Sequence, residues 1–536
     1  MTPVPESDRS PGRLAAPVLL VTPPLLRFNL FAELGVPQIV GYLEAHGVGC
    51  SQVDLNVELL YDFLTRPPWP ERVLQLHGPR SSATAIWEQH CSGGQLRIPR
   101  HDIEAMRSWV ESCAELLRLL PGSYRPEQLM SAVERGHPPY EALFEERLFA
   151  AATQRPAIIG LTLMSSTQLL PGLILARRIK VQWPDTLVVA GGPWVIAADS
   201  ILESFLSRAP ALDALVVGRA EEPLLKLCEA VRGGGHGLDG VPNLVLREGE
   251  RIRRTPLVPP APLDSLPDPS FDGLRLGSYP VPMLPVQSTN RCYWGKCVFC
   301  HHDVRSAVPD RRSPRLVVDA MLSARDRYRV PNYFLADCAT PLDTMESISE
   351  ELLARRERLR WSALARADDG YSSGLCRKLR SAGCRALLMG LETVSAAGLQ
   401  KLRKGITAEM VENAVRRCGE AGIGVYLFVL DYPGNSLAEF ERTLDFVLSL
   451  SEWIEDFIPA RFQLSEVTRV ASEPELFSLR RTVRQGEWLD VFDIPYEAPD
   501  QIPLDEYNRL VAAYQARASE KRARPRQDPF YLGTLD

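Results

Sequence analysis

The chain has 536 residues and a mass of 59.7 kDa, which is too long for one ordinary hydrophobic core and predicts several domains. Hydrophobic residues make up 45% of the sequence and charged residues 24%, a globular composition, and no apolar run reaches the ~18 residues that a membrane span needs. We therefore expect no membrane span. The formal net charge of -6 gives no broad cationic face, so we do not expect nucleic-acid binding either.

The first residues of the chain do not resemble a secretory signal. Residues 1–16 are polar and contain prolines, and they lack the apolar stretch that follows the basic residues of a signal peptide. We therefore expect a cytoplasmic protein, in which the 11 cysteines do not form a disulfide framework.

Short apolar strands alternate with helical stretches between residues 15 and 250. Such alternation predicts a parallel, Rossmann-like sheet, and ligands bind these sheets at the loops beyond the carboxyl ends of the strands. The loops after the last three predicted strands are small, polar or rich in glycine, as the close approach of a large ligand requires. The predicted strands are Val18–Val21, Val48–Val53, Ile158–Leu163, Leu187–Ala190 and Leu215–Val217.

Two segments interrupt or end this α/β pattern. Residues 58–155 contain aromatic, arginine-rich and glutamate-rich stretches, which predict a helical insertion. Residues 251–285 predict a connector between domains, because nine prolines between Pro256 and Pro285 oppose regular structure.

A second α/β series occupies residues 286–465, and a C-terminal extension, residues 466–536, follows it. Six strands separated by helices predict a partial (β/α)6 barrel of the TIM type. In such barrels the working residues lie at the carboxyl ends of the strands. The predicted strands lie near Val286-Gln287, Tyr333–Ala336, Trp361–Ala365, Ala386–Gly390, Val425–Leu430 and Phe462–Leu464.

Three cysteines, Cys292, Cys297 and Cys300, stand within nine residues, directly after the first predicted barrel strand. Three thiolates can hold one metal centre, and the missing fourth ligand leaves two alternatives. A four-iron cluster on three cysteines keeps one iron open for a small molecule. A structural zinc site needs a fourth ligand, which His301 or His302 would have to supply from awkward positions next to Cys300.

The cysteine segment and the strands behind it resemble the radical S-adenosylmethionine (SAM) enzymes. The usual spacing in that family is three residues and then two, whereas the first gap here has four, Tyr293 to Lys296. The resemblance implies a [4Fe-4S] cluster on the three cysteines and SAM on its open iron. It also implies SAM contacts from four residues that lie in the matching motifs, namely Phe299, Asp337, Arg366 and Glu392.

Each of these four side chains has a role in the resemblance. Phe299 would flank the adenine, and Asp337 would accept a hydrogen bond from the SAM amino group. Arg366 would pair with the SAM carboxylate, since a guanidinium suits that anion, and Glu392 would bind the ribose. Core packing for Phe299 and helix capping for Asp337 are the structural alternatives.

The N-terminal domain resembles the cobalamin-binding domains that precede some radical SAM barrels. The strand ends and loops occur in the same order, and the residues that would contact cobalamin are Ser165, Ser166, Thr167, Gly191, Gly192, Gly218 and Glu221. The Asp-x-His-x-x-Gly motif that supplies an axial histidine is absent from the sequence, and we interpret His46 as structural. The resemblance therefore implies cobalamin held without a histidine ligand. A Rossmann-like domain that no longer binds the corrin is the alternative.

The joining of both domains predicts a cobalamin-dependent radical SAM enzyme, first of all a C-methyltransferase acting on an unactivated carbon of a secondary metabolite or modified peptide. The resemblance implies that a 5′-deoxyadenosyl radical from SAM abstracts hydrogen from the substrate and that cobalamin then delivers a methyl group. Two alternatives stay open: a cyclase or rearrangement enzyme that uses cobalamin without methyl transfer, and a non-catalytic zinc- or cobalamin-binding regulator. The expected partners are a small-molecule or peptide substrate and an external electron donor of the flavodoxin or ferredoxin type.

Overall fold

The computed structural model describes residues 17–24, 31–65, 108–115, 117–233, 238–279, 281–301 and 309–521. These residues form two compact units. The first unit contains the described residues up to Pro282 together with the later segment Arg484–Phe492, and the second contains the rest, from Met283 onward. Much of the predicted insertion, residues 66–107, lies outside the described residues.

The first unit is built on one seven-stranded sheet. Among the described residues its strands are β1 (Val18–Thr22), β2 (Cys50–Asp54), β3 (Ile158–Thr162), β4 (Leu187–Gly191), β5 (Ala214–Val216), β6 (Leu244–Glu248) and β7 (Arg251–Arg254). The order across the sheet is β2-β1-β3-β4-β5-β6-β7, and the first five strands in this order are parallel. The prediction of a parallel, Rossmann-like sheet is confirmed.

The centre of this sheet is apolar on both faces. All five residues of β1 are buried, as expected of a parallel strand that helices cover on both sides. The helix that follows β3 is buried from Leu169 to Ala176. The helices of this unit include Gly35–Ala45, Leu55–Thr65, Pro126–Arg135, Pro138–Phe144, Leu169–Gln182, Pro193–Ala197, Leu202–Arg208 and Glu221–Arg232, with a π-helical turn at Glu145–Phe149.

A hairpin lies at the edge of this sheet where no strand was predicted. β6 pairs antiparallel with β5 and with β7, and Gly249 supplies a positive φ of 59° at the turn. The predicted connector begins at residue 251, which is inside β7. The charged sequence of β7 gives no strand signal, because an edge strand can be charged and needs no continuous apolar run.

The second unit is built on a six-stranded parallel sheet. Its strands follow one another across the sheet in chain order: β8 (Leu284–Val286), β9 (Asn332–Leu335), β10 (Arg360–Ala365), β11 (Cys384–Glu392), β12 (Gly424–Asp431) and β13 (Asp456–Arg461). The helices between and after them include Pro314–Tyr328, Leu342–Ala354, Ser373–Ser381, Ala396–Lys401, Ala408–Glu420, Leu437–Ser449 and Arg469–Ser472. The predicted partial barrel is confirmed.

The position predicted for the sixth barrel strand is wrong. It was predicted at Phe462–Leu464, but β13 spans Asp456–Arg461. This strand lies at the edge of the sheet, contains Pro459 and has charged residues at both ends, so it lacks an apolar alternation. Phe462 is buried just beyond the strand end, where its ring stacks on that of Phe477 at 6.0 Å between centroids.

The C-terminal extension contributes to both units. In the second unit, β14 (Arg480–Arg481) pairs antiparallel with β15 (Tyr496–Glu497), and the helix Leu504–Lys521 follows. The segment Arg484–Phe492, which lies between these two strands in sequence, packs in the first unit. Among the described residues, we find no helix with the length and hydropathy of a membrane-spanning segment.

Candidate functional site

The cysteine segment follows β8 at the carboxyl edge of the second sheet. Cys292, Cys297 and Cys300 are all partly exposed, and none of the three forms a disulfide. Val298 anchors the segment, because it is fully buried, its N–H donates to Leu402 O at 3.2 Å and its carbonyl accepts from Val470 N at 3.3 Å. Within the described ranges, no three Cys, His, Asp or Glu side chains are grouped as a metal shell requires. The three thiols thus share one loop without a preformed ligand geometry.

The four-residue gap between the first two cysteines is held by contacts with two later loops. The Tyr293 hydroxyl donates to Asp368 Oδ2, and the Trp294 indole N–H donates to Arg403 O at 2.9 Å. The Trp294 ring packs on Gly405, where an added Cβ would lie 2.0 Å from a ring carbon. Gly405 also has a φ of 69°, a conformation that favours glycine. The longer gap is therefore accommodated by a tryptophan that packs on a glycine.

Asp337, after β9, is buried and holds the backbone that leads into the cysteine segment. Its carboxylate accepts hydrogen bonds from the N–H groups of Ser288 and Thr289, both at 2.8 Å, and from the hydroxyls of Ser288 and Thr340. Burial raises the pKa of Asp337, and these hydrogen bonds offset part of the rise. The carboxylate is thus occupied by donors from the protein itself.

Arg366 and Glu392, at the ends of β10 and β11, are buried and paired. Arg366 Nε donates to Asp368 Oδ1 at 3.1 Å, and Arg366 Nη2 donates to Lys404 O at 2.7 Å. The Arg366 guanidinium carbon lies 4.6 Å from the centroid of a Trp294 ring. Glu392 Oε1 accepts from Lys404 Nζ at 2.7 Å. The structure therefore brings both predicted residues together around Lys404.

Two buried cations, Lys404 and Arg366, influence the thiols. Burial raises the pKa of Cys297, and the positive charges of Lys404 and Arg366 offset only part of that rise. Burial also depresses the pKa of Lys404, but the neighbouring Glu392 and Cys297 reverse this, and the net pKa is raised. The Lys404 ammonium lies 5.8 Å from the centroid of the Phe299 ring. Cations beside a three-thiol loop suit the negative charge of an iron-sulfur cluster on thiolates.

In the first unit the predicted residues lie in the loops after β3, β4 and β5, which are neighbours in the sheet. The β4 loop approaches the β3 loop closely, because Gly192 has a φ of 104° and an added Cβ would lie 2.8 Å from Leu163 O. The Leu163 N–H also donates to Gly191 O at 2.7 Å. Parallel strands thereby bring to one edge of the sheet Ser165, Ser166, Thr167, Gly191, Gly192, Gly218 and Glu221.

Several of these side chains have partners within the unit. Ser166, which is fully buried, donates its hydroxyl to Asp490 Oδ1 at 2.7 Å. Glu221 forms an ion pair with Arg219. His46 is exposed beyond the end of the helix Gly35–Ala45, with its Nδ1 2.8 Å from Tyr42 O, which agrees with a structural role.

Two features of these sites have no signal in the sequence. Lys404 follows a helix within Leu-Arg-Lys-Gly, a pattern that any exposed helix end can have, yet it is 8% exposed and paired. Asp490 lies in an extension without a motif, and only the fold places it beside Ser166.

Comparison with known proteins relates the second unit to a described family. Residues 286–447 match the family model of the Radical SAM superfamily. An uncharacterized methyltransferase of Pyrococcus horikoshii is 26% identical over 305 residues, which are 55% of this chain and 64% of the relative. The hopanoid C-3 methylase of Methylococcus capsulatus is 24% identical over 440 residues, which are 78% of this chain and 74% of that relative. The chain thus spans less than two thirds of the length of the Pyrococcus relative.

A solved structure extends the similarity to both units. The radical S-adenosylmethionine methyltransferase TsrM from Kitasatospora setae, solved with cobalamin and a [4Fe-4S] cluster bound, superposes with a TM-score of 0.62 at 16% identity. The match covers 94% of this chain and 89% of TsrM, so the two proteins share their fold. Residues 286–447 are therefore a radical SAM domain, and methyltransferases are among the proteins that the chain resembles.

Proposed function

We propose that this chain is a cobalamin-dependent C-methyltransferase that acts on an unactivated carbon of a small secondary metabolite or a modified peptide. The observation that carries the proposal is the presence, in one chain, of a parallel α/β unit and a six-stranded radical SAM barrel. A methyltransferase that binds cobalamin and a [4Fe-4S] cluster has the same fold, and both relatives are named for methyl transfer.

Cys292, Cys297 and Cys300 would hold the cluster, and its open iron would take SAM. Their position on one loop at the carboxyl end of β8 supports this, as do the buried cations Lys404 and Arg366. When bound, the cluster and SAM supply the radical that removes hydrogen from the substrate, while the protein aligns the reacting groups.

The four candidate SAM residues differ in how well their surroundings suit the proposed contacts. Asp337 is surrounded by four donors of its own, which favours a role in positioning the cysteine loop over contact with the SAM amino group. Arg366 and Glu392 place charged groups at neighbouring strand ends, and Phe299 places a ring beside Lys404. We propose these three for contact with SAM.

Cobalamin would lie against the loops after β3, β4 and β5 without a histidine ligand. The close approach of the β3 and β4 loops, which requires glycine at position 192, supports a large ligand at this edge. When bound, cobalamin would carry the methyl group.

We further propose that the enzyme works in the cytoplasm with an electron donor of the flavodoxin or ferredoxin type. Electrons for the cluster would come from another protein, and a reducing compartment suits a chain in which none of the described cysteines forms a disulfide.

The balance of products tests methyl transfer. Anaerobically reconstituted enzyme would receive substrate and SAM with a deuterated methyl group. We expect S-adenosylhomocysteine and 5′-deoxyadenosine in roughly equal amounts, because one SAM methylates cobalamin and a second yields the radical, and we expect the label in the product. Enzyme reconstituted without cobalamin is the control and should give no labelled product.

Two results would contradict the proposal. If 5′-deoxyadenosine forms with the true substrate but S-adenosylhomocysteine and label do not, the enzyme is a cyclase or rearrangement enzyme. If anaerobic purification yields a colourless zinc protein, the non-catalytic regulator is correct.

A further inference from the structure

A cluster of polar side chains lies at the carboxyl ends of β12 and β13, apart from the residues discussed above. Asp431 ends β12 and Arg461 ends β13, and the two residues are directly paired in the strand register. Asn435 lies in the turn after β12, and Gln501 comes from the C-terminal extension. We call these four residues the strand-end cluster.

Two members of the cluster, Asp431 and Asn435, are buried, whereas Arg461 and Gln501 are half-buried, and several polar atoms of the four residues have no hydrogen-bond partner. Asp431 is 0% exposed and Asn435 is 1% exposed. Within the described part of the chain, neither Asp431 oxygen has a hydrogen-bond partner of normal geometry, and neither does either amide atom of Asn435. Arg461 Nη1 and Gln501 Nε2 are likewise unpartnered there. Within the cluster, Arg461 Nε forms an ion pair of 3.5 Å with Asp431 Oδ2, and the Gln501 side chain interacts with the same carboxylate. Arg461 Nη2 donates to Ile502 O at 2.8 Å.

Such an arrangement is costly for the fold alone. A buried polar atom without a partner destabilises the folded state, and native proteins have few of them. Several together at the carboxyl ends of barrel strands, where ligands bind, indicate groups that a ligand completes.

The free groups specify the chemistry of that ligand. Asp431 offers negative acceptors, Arg461 and Gln501 offer donors, and Asn435 offers one of each. A phosphate would be repelled by Asp431, and a neutral sugar would not use the Asp431–Arg461 charge pair. An ammonium beside a carboxylate, as in a free α-amino acid, matches both charges at once.

We propose that the strand-end cluster binds the zwitterionic α-amino acid group of the substrate, the ammonium on Asp431 and the carboxylate on Arg461 and Gln501. The inference rests on the proposed methyltransferase function and narrows its substrate to small molecules with a free amino acid group. The wall of the site is aromatic: the Tyr507 ring centroid lies 5.3 Å from the Arg461 guanidinium carbon, and Tyr507 stacks on Phe440.

The site also predicts how binding depends on pH. Burial raises the pKa of Asp431 to about 6, although Arg461 and Gln501 lower it in part. Among the described residues, Tyr432, Tyr496 and Tyr507 also interact electrostatically with Asp431, and their pKa values are raised, so they stay neutral near pH 6. Ammonium binding needs the ionised carboxylate, and affinity for the amino acid should therefore fall as the pH drops below about 6.

The experiment measures binding to the anaerobic holoenzyme without SAM. The protein would be dialysed against the twenty proteinogenic L-amino acids, and the retained compounds identified by mass spectrometry. We expect at least one amino acid to be retained, and its N-acetyl and methyl ester derivatives to bind at least tenfold more weakly. Asp431→Asn should weaken binding by a similar factor, while Glu409→Gln, an exposed helix residue, should leave it unchanged.

Asn435→Ala provides a second variant in case Asp431→Asn does not fold, and circular dichroism with iron content checks the fold of both. The proposal is overturned if no amino acid is retained and the cluster holds ordered water only, if both derivatives bind as well as the parent, or if SAM itself displaces the amino acid from this site. Methyl transfer to a substrate without an amino acid group would refute the subsite and leave the methyltransferase intact. Amino acid binding without methyl transfer would support the subsite and refute the methyltransferase function.

Discussion

Trp294 is the residue that fits a four-residue gap into the cysteine segment. Its indole N–H is bonded to Arg403 O, the Arg366 guanidinium lies over its face, and its ring occupies the space that a side chain at position 405 would need. Position 405 therefore needs glycine for two reasons, the close contact with the Trp294 ring and the φ of 69°.

Gly405→Ala tests this contact. The added Cβ overlaps the Trp294 ring and the backbone is strained, so we expect a loss of about 1–3 kcal/mol in stability and less iron bound after reconstitution. Thermal unfolding and iron per chain measure the two effects. Gly374→Ala is the control, since its nearest neighbour would be Ser372 Oγ at 3.8 Å, and it should change stability by less than about 1 kcal/mol. Normal iron content in Gly405→Ala would show that the Trp294 contact does not shape the loop.

The three cysteines make the second prediction at this scale. Replacing Cys292, Cys297 and Cys300 together with alanine removes every thiolate that we propose for the cluster, so iron, sulfide and SAM cleavage should all be lost. Cys50→Ala removes a thiol of the first unit and should leave the iron content unchanged. Near-normal iron in the triple variant would refute the assignment.

At the scale of elements, the segment Arg484–Phe492 is an unexpected part of the first unit. The Trp194 indole N–H donates to Leu489 O at 2.9 Å, and Leu489 N–H donates to Tyr124 O at 2.9 Å. Asp490 accepts a hydrogen bond from the Ser166 hydroxyl. Ser166 lies in the loop after β3, which we propose as part of the cobalamin site. A piece of the C-terminal extension thus stabilises that loop.

Asp490→Ala should destabilise the loop after β3 that contains Ser166. It leaves the buried Ser166 hydroxyl without this acceptor, which costs about 1–3 kcal/mol, and we expect weaker retention of cobalamin on gel filtration. Asp490→Asn keeps an acceptor oxygen and should retain most of the cobalamin. Equal cobalamin in all three proteins would indicate that the segment has no part in the site.

For the whole molecule, the residues proposed for the two cofactor sites belong to different compact units. The proposed cobalamin residues are all in the first unit, whereas the cysteines and the proposed SAM residues are all in the second. Each unit has its own sheet and buried core, so damage to one site leaves the residues of the other in place.

Because the two sets of residues lie in different units, we predict that the cluster and cobalamin bind independently of each other. The triple cysteine variant should retain cobalamin at the wild-type level, and Gly192→Val, which collides with Leu163 O, should lose cobalamin but keep its iron. Iron and extracted cobalamin per chain, measured on the same preparations, test this prediction. Loss of both cofactors in either variant would contradict it.

Local sequence patterns were sufficient for most of the strands. β1 was predicted at Val18–Val21 and spans Val18–Thr22, and β12 was predicted at Val425–Leu430 and spans Gly424–Asp431. Both are interior strands of parallel sheets, whose two buried faces demand a continuous apolar run. The edge strand β7 was not predicted and the edge strand β13 was predicted too late in the chain, because an edge strand needs no continuous apolar run.

The sequence by itself determined the two α/β units and the three-cysteine segment, because strand periodicity and ligand spacing depend on residues that are close in the chain. Only the tertiary structure decided that Trp294 packs on Gly405, that Arg366 bonds to the backbone of Lys404 and that Asp431 pairs with Arg461. These partners are distant in sequence and meet because parallel strands align their carboxyl ends at one edge of a sheet. Which of them pair depends on strand register and on the burial of charge, and neither is contained in a local pattern.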